Sequence, residues 1–192
     1  MVISCLNRNM IMKDFLDLAK RRCTVRSFTG QPVEIEKLDY ILEASRVAPT
    51  ACNKQPQRII VVRSPENIRK IEKAYPTFGS SCVLIICRDR REELVRPFDG
   101  KCSGDLDIGI ITAQMMLAAR EKEVGSVMVG LFDPHIIRTE FNIPDYIEPT
   151  ALLILGYPGN GFLDADRHKT QRKPLSQTVM MEGYHENNLH EL

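Results

Sequence analysis

The segment that most constrains the fold runs from Gly109 to Ala119, because its side chains are apolar on nearly every side of a helix. Such a helix has no face to offer to water and must be covered all round. In a chain of 192 residues, it lies either at the centre of the fold or in an interface between subunits. The pattern alone leaves both places open.

Short apolar runs alternate with amphipathic segments along the rest of the chain. The run at 58–63 is unbroken enough to predict a strand that is buried on both faces. Helix starts are indicated at Ser64-Pro65 and Asp133-Pro134, where a capping side chain precedes a proline in the first turn. Strands are predicted at 58–63, 82–87, 126–129 and 150–155, and helices at 14–21, 35–45 and 105–123. This order predicts a sheet covered by helices.

The charges of the chain are nearly balanced, with 26 Lys and Arg against 25 Asp and Glu and a net charge of +1. Proteins that bind nucleic acid usually carry a large basic excess, so we expect no nucleic-acid partner. No apolar run approaches the roughly 18–20 residues that span a bilayer, so we expect no membrane. Residues 1–12 lack the apolar core of a secretory signal, and we therefore expect a cytoplasmic protein.

The six cysteines contain no pair with the C-x-x-C spacing of zinc and redox sites. No histidine lies near enough in sequence to complete a metal site with them. Because no export signal accompanies the cysteines, we expect reduced thiols and no bound metal.

Four segments contain residues that suit a charged or heterocyclic ligand. At 22–28, two arginines and a hydroxyl can grip a phosphate, although arginines also end helices because they suit the negative end of the dipole. At 49–56, side-chain amides offer a donor and an acceptor to a heterocycle, although ordinary turns have a similar composition. At 127–130 a strand ends in glycine, and at 172–175 a cationic pair stands in a polar tail. None of the four decides a function by itself.

Together, the four segments resemble the FMN-dependent nitroreductase family, whose members carry them in this order and at about this spacing. Arg22 to Phe28 resembles the family's R-R/x-S-V-R-x-F start, and Ala48 to Pro56 resembles its A-P-S-x-x-N-x-Q-P-W loop. Gly130 matches the glycine after a central strand, and Arg172 to Leu175 matches a late R-K-P-L. The resemblance extends from about residue 15 to residue 179.

The resemblance implies an α+β fold, with a central mixed, mostly antiparallel sheet covered by helices and two chains intertwined in a homodimer. One domain would fill residues 1–192, with an N-terminal extension at about 1–13 and an extended C-terminal arm at about 160–192. The apolar helix would then lie in the dimer interface.

The resemblance also implies one FMN at each of two sites on the interface. Residues carried over for the phosphate and the ribityl chain are Arg22, Cys23, Thr24, Arg26 and Arg172. Residues carried over for contact with the other subunit's flavin are Pro49, Thr50, Ala51 and Asn53, with the amide of Gln55 beside them. Residues carried over for the isoalloxazine ring are Val127, Met128, Val129 and Gly130, with a backbone N–H near N5.

Some positions depart from the family pattern. Cys23 stands where members usually have Arg, His or Ser, so its side chain can offer the phosphate little. Val129 stands where many members have Glu, which leaves a backbone contact intact. Residues 88–104 match nothing firmly, and in relatives this region holds the lid and the substrate specificity.

The activity that the resemblance implies is an oxidoreductase reaction on bound FMN. A hydride passes from NADH or NADPH to the flavin, and a small acceptor such as a nitroaromatic or a quinone then takes its place, in a ping-pong order. No side chain is expected to act as a general acid or base. Two alternatives stay open: a non-enzymatic flavin-binding or regulatory protein, and a specialised member such as a reductive dehalogenase or a flavin-fragmenting enzyme.

Overall fold

Four strands form one sheet in the computed structural model, which describes residues 14–160 and 166–184. They are β1 (Gln57–Val62), β2 (Cys82–Asp89), β3 (Gly125–Val129) and β4 (Ile147–Gly156). Their order is β1-β2-β4-β3, and each neighbouring pair is antiparallel. A parallel bridge between Thr24 and Ser126 adds to the sheet beside β3. The prediction of a mostly antiparallel sheet covered by helices is confirmed.

Helices cover both faces of this sheet. The described helices are α1 (Phe15–Arg21), α2 (Ile35–Arg46), α3 (Pro65–Glu72), α4 (Gly104–Glu121), α5 (Pro134–Glu140) and α6 (Arg167–Thr170). Of these, α2 and α4 cover one face and α3 and α5 cover the other. Successive side chains of a strand point to opposite faces, so the central strands β2 and β4 feed two cores. Leu84 and Leu153 pack in one core with α2 and α4, whereas Ile85 and Leu152 pack in the other with α3 and α5. Unbroken apolar runs suit strands in this central position.

The prediction that the strand at 58–63 is buried on both faces is wrong. β1 lies at an edge of the sheet, where it pairs only with β2 among the described strands. Val61 is 39% exposed, and Ile59 and Ile60 are only partly buried. An apolar run predicts a strand but does not say which neighbours will cover it.

The expectation that the apolar helix is covered on every side is not met within one chain. One face of α4 packs in the core through side chains such as Ile108, Ile111 and Met115. The opposite face is open, with Leu106 67% and Ile110 36% exposed. A groove of about 690 Å³ runs along this face between α1, α2 and α4. The helix thus lies in the core with one face and is open on the other, and a subunit interface on the open face stays a prediction.

Some sequence expectations concern residues that the structure does not describe. The N-terminal extension at 1–13 lies outside the described residues, as do 161–165 and 185–192 of the C-terminal arm. The five described cysteines are free thiols. Within residues 14–160 and 166–184, no helix combines the length and the apolar character that a bilayer crossing requires.

Candidate cofactor site

A cavity of about 730 Å³ lies between α1 and the C-terminal segment. It brings Arg22, Cys23 and Thr24 together with Arg172, from opposite ends of the described chain. The described residues that line it are Leu16, Ala19, Lys20, Arg22, Cys23, Thr24, Arg167, His168, Gln171, Arg172 and Leu175. Its volume falls in the range of about 300–1,000 Å³ that is usual for small-molecule sites.

Local structure explains why residues 22–24 face this cavity. α1 ends at Arg21, and Arg22 turns into an extended backbone while its N–H still donates to the Leu18 carbonyl. The extended segment is then fixed by Val25, whose N–H donates to the Ser126 carbonyl at 3.1 Å and whose side chain is buried. Side chains of an extended segment alternate between its two sides. Because Val25 points into the core, this alternation directs Arg22 and Thr24 to the other side, whereas Cys23 shares the side of Val25 and packs partly against the core. All three side chains are only partly buried, and all three line the cavity.

The cavity is cationic. Among the lining residues that the structure describes, four are Lys or Arg and none is Asp or Glu. Arg167 donates from Nε to Gln171 Oε1 at 2.7 Å, whereas the guanidinium groups of Arg22 and Arg172 have no partner among the described residues. Unpaired guanidinium groups in a partly dry cleft suit a dianionic phosphate, which accepts charge-assisted and bidentate hydrogen bonds. The donor set therefore fits the phosphate end of FMN.

Arg26 is the one residue of the predicted phosphate set that does not line the cavity. It lies beyond Val25, and its side chain is exposed. The structure describes no partner for its guanidinium group. Its contact with a cofactor stays a prediction.

The predicted contact loop at 49–55 lies apart from the cavity and next to the start of α4. Ala51 to Asn53 form one turn of 3₁₀-helix, and Cys52, Asn53 and Gln55 have φ angles of 49°, 54° and 50°. Thr50 Oγ1 accepts from the Gln55 N–H at 3.1 Å, and the Ala51 N–H donates to Asp107 Oδ1 at 2.8 Å. Pro49, Asn53 and Gln55 are exposed. Because one chain does not bring this loop to the cationic cavity, its expected contact with a partner's flavin stays a prediction.

The predicted ring-binding residues lie at the end of β3. Val127 and Val129 point into the core and are 2% and 5% exposed, so only their backbone is available to a ligand. Met128 is 41% exposed, and Gly130 follows the last residue of the strand. None of the four lines the cationic cavity. A ring lying along this strand stays a prediction.

Sequence reasoning missed Lys20, Arg167, His168 and Gln171, which share the cavity with the predicted residues. A signal was present in the tail, where R-H-K-T-Q-R-K at 167–173 concentrates basic residues. Charge alone does not distinguish a ligand site from a solvated segment. Here the distinction comes from the place of this segment beside α1.

The segment at 90–103 projects between β2 and α4. A bridge joins Val95 to Cys102, and Arg96 forms an ion pair with Asp99 near the tip. Phe98 at the tip is 93% exposed. At its base, Arg88 Nη1 binds Glu93 Oε2 at 2.9 Å, directly over Gly104, where a Cβ would lie 2.0 Å from Glu93 Oε2. A side chain at position 104 would therefore displace the side chains of Arg88 and Glu93, whereas the glycine leaves their ion pair undisturbed.

Comparisons with known proteins give a consistent picture. The sequence profile of the nitroreductase family matches residues 18–81 and 75–157. A crystal structure of a nitroreductase family protein from Clostridium difficile 630 has 41% sequence identity and a TM-score of 0.86. That similarity covers 89% of this chain and 99% of the other.

Two curated relatives carry the names of activities. A protein of Archaeoglobus fulgidus, provisionally named an NADH dehydrogenase/NAD(P)H nitroreductase, is 30% identical over 81% of this chain and 92% of its own length. The FMN reductase [NAD(P)H] of Bacillus subtilis is 28% identical over 84% of this chain and 70% of its own length. The profile match, the shared fold and these relatives together show that the chain belongs to the nitroreductase family.

Proposed function

We propose that the protein is an FMN-dependent NAD(P)H oxidoreductase that reduces nitroaromatic compounds, quinones or similar acceptors in a ping-pong order. Membership of the nitroreductase family supports the reaction class. The names of relatives, an NAD(P)H nitroreductase and an FMN reductase [NAD(P)H], support the cofactor and the reductant. The observation that carries the proposal is the cationic cavity, where Arg22 and Arg172 converge and no Asp or Glu stands among the described lining residues.

The residues of the cavity act by binding and orienting. Arg22 and Arg172 meet the charge of the phosphate, and Thr24 adds a hydroxyl beside them. Cys23 contributes no charge, so the arginines do most of this work. When bound, FMN supplies the hydride and electron transfer, and the chain itself needs no general acid or base.

We also propose that the enzyme is a homodimer in which the exposed face of α4 is covered by the partner. The groove on this face is lined mainly by apolar side chains, among them Phe15, Val47, Ile110 and Leu117. Monomeric proteins rarely leave contiguous apolar patches of this kind in water. Within one chain the loop at 49–55 does not reach the cationic cavity. In a dimer the partner's loop would reach the flavin instead.

The test is the colour of the purified protein and its response to reductant. We expect a yellow protein with one FMN per chain, whose absorbance near 450 nm bleaches on anaerobic mixing with NADH or NADPH. Adding a nitroaromatic compound or a quinone to the reduced protein, after the reductant is removed, should restore the colour. A yellow protein that is indifferent to both nucleotides would instead support a binding role, and a protein without flavin would overturn the proposal.

A further inference from the structure

Asp107, in the first turn of α4, has a buried carboxylate that connects two segments far apart in the sequence. The residue is only 1% exposed. Oδ1 accepts from the Ala51 N–H at 2.8 Å, and Oδ2 accepts from the Ser103 hydroxyl at 2.8 Å. Asp107 therefore holds the loop at 49–55 with one oxygen and the residue before α4 with the other.

The hydrogen bonds continue beyond Ser103 into the segment at 90–103. Ser103 Oγ accepts from the Leu94 N–H at 3.2 Å, and the Ser103 N–H donates to the Leu94 carbonyl at 2.9 Å. A continuous path thus runs from Leu94 through Ser103 and Asp107 to Ala51. It connects the base of the projecting segment to the first residue of the 3₁₀ turn.

A carboxylate is well suited to this position. Burying a charge is costly unless each of its oxygens is hydrogen-bonded, and here both oxygens are. The N-terminus of α4 adds the positive end of a helix dipole, which stabilises a negative charge in the first turn. No other described side chain bonds to the backbone of Ala51, Cys52 or Asn53 in a way that could replace it, because Gln55 Nε2 reaches only the Asn53 carbonyl.

The loop needs such a fixed point. The backbone of Cys52, Asn53 and Gln55 lies in the left-handed region, which residues other than glycine adopt at a cost in free energy. Strained backbone of this kind persists only where its surroundings hold it. The bonds to Asp107 and Thr50 tie the loop at both ends of the strained stretch, from Ala51 to Gln55.

We propose that Asp107 is a positioning residue for cofactor binding: it holds the loop at 49–55 in the conformation that meets the flavin and couples that loop to the segment at 90–103. The proposal rests on the proposed function, since it takes the loop to contact FMN. Asp107 itself touches the loop backbone and not the cofactor.

The test compares Asp107→Ala with Ala51→Pro, which removes the donor of the same hydrogen bond. Proline suits the first position of a helical turn, and Thr50 before it is already extended at φ −132° and ψ 158°. The first measurement, on apo-protein, is hydrogen–deuterium exchange of the loop amides at Asn53, Lys54 and Gln55, whose N–H groups donate to Thr50 and Ala51, followed by mass spectrometry. Amides of β2 are internal references, because this strand is paired on both sides.

We expect both single variants to speed exchange of these loop amides about tenfold, since a hydrogen bond to a charged group is worth at least that factor. In the double variant the amides should exchange no faster than in either single variant, because both substitutions act on one bond. FMN and riboflavin affinity should fall by the same factor, since the loop is expected to touch the ring end and not the phosphate. Ser103→Ala keeps the Ala51 bond and removes the acceptor of the Leu94 N–H, so it should speed exchange of the Leu94 amide more than that of the loop amides.

The matched control is Thr112→Ala in the same helix, where a fully buried hydroxyl bonds only to the Ile108 carbonyl. It removes a buried hydrogen bond from α4 without touching the loop. If Asp107→Ala and Thr112→Ala lower the melting temperature but leave exchange of the loop amides unchanged, Asp107 only stabilises α4 and the proposal is overturned. Additive effects on exchange in the double variant would overturn it as well. If wild-type protein binds no FMN, the proposed function fails on its own, while exchange of the loop amides still decides whether Asp107 holds the loop.

Discussion

Arg22 and Arg172 carry the phosphate site at the scale of single residues. Each hydrogen bond to a charged group is worth about 1.5–3 kcal/mol net. Because about 1.4 kcal/mol is a factor of ten, Arg22→Ala and Arg172→Ala should each weaken FMN binding roughly ten- to a hundredfold. Riboflavin lacks the phosphate, so its weaker affinity should change little and the gap between the two flavins should narrow. Fluorescence quenching of each flavin by apo-protein measures both affinities.

Two neighbouring cations serve as controls for this prediction. Lys173 and Arg26 do not line the cavity, so Lys173→Ala should change FMN affinity least. Arg26→Ala tests a residue that the resemblance places at the phosphate and that the structure places outside the cavity. A loss of FMN affinity like that of Arg22→Ala would place Arg26 in the site of the assembled protein. Equal affinity of wild-type protein for FMN and riboflavin would show that the phosphate is placed wrongly.

Asp89 at the end of β2 is the described residue whose ionisation most clearly affects stability. Arg91 donates to it from Nε and Nη2 at 2.9 and 2.7 Å, and hydrogen bonding from Arg91 lowers the pKa of the Asp89 carboxyl to about 2. The unfolded chain has a pKa near 4, so the ionised carboxylate stabilises the fold above about pH 4 and loses this effect as the pH falls toward 2. Asp89→Asn should therefore melt at a lower temperature than wild type at pH 7.

This difference in melting temperature should shrink between about pH 4 and pH 2, as thermal unfolding followed by circular dichroism would show. Asp99→Asn is the control, because the Arg96–Asp99 pair is about half exposed and such pairs contribute little. A difference between Asp89→Asn and wild type that stays constant over this range would mean that packing, and not charge, is responsible.

At the scale of secondary-structure elements, helix α5 shows how a cap fixes the chain after β3. Asp133 accepts from the N–H groups of His135 and Ile136 at 2.9 and 3.3 Å. Loss of a cap costs about 0.5–2 kcal/mol, so Asp133→Ala should lower the free energy of unfolding by that amount. Asp133→Asn keeps an accepting oxygen and should retain most of the stability. Urea denaturation measures both, and equal losses in the two variants would mean that the cap is not the cause.

The same caps explain which elements the sequence predicts well. Ser64-Pro65 and Asp133-Pro134 each combine a local acceptor with a local backbone constraint, and α3 and α5 begin where these signals stand. The sequence predicts the position of β1 but not its burial, because burial depends on which strands lie on either side. That property is decided by the order β1-β2-β4-β3, to which residues 58–63 contribute no local signal.

At the scale of the whole molecule, the candidate site also contains residues that the local sequence indicates and residues that only the fold brings in. The segment at 22–28 is a candidate from its own two arginines and hydroxyl, although arginines also end helices for other reasons. The structure places Arg22, Cys23 and Thr24 in the cavity, but not Arg26. The local sequence does not decide whether Arg172 binds a ligand, because nothing near it indicates that the tail returns to α1. Only the family resemblance makes it a candidate for the phosphate. Asp107 had no sequence signal, since a carboxylate in the first turn of a helix is ordinary until its partners are known.

The open face of α4 leads to the prediction that concerns the whole assembly. Ala113 is exposed in one chain and lines the apolar groove, so Ala113→Glu should leave the fold of the chain intact. In a dimer the same glutamate would be buried without a partner, at a cost that association cannot recover. We expect a monomer that has lost most of its FMN, because the loop at 49–55 would no longer reach a neighbouring flavin.

Sedimentation velocity and flavin content test this expectation together. Val61→Glu on β1 is the matched control, because it places the same charge on an exposed apolar position at the sheet edge, away from the groove. It should remain a dimer with one FMN per chain. A dimeric Ala113→Glu protein would mean that this face of α4 is not the interface. A monomeric one that keeps its full FMN would mean that each site is complete within a single chain, and that the loop at 49–55 has no part in binding across the dimer.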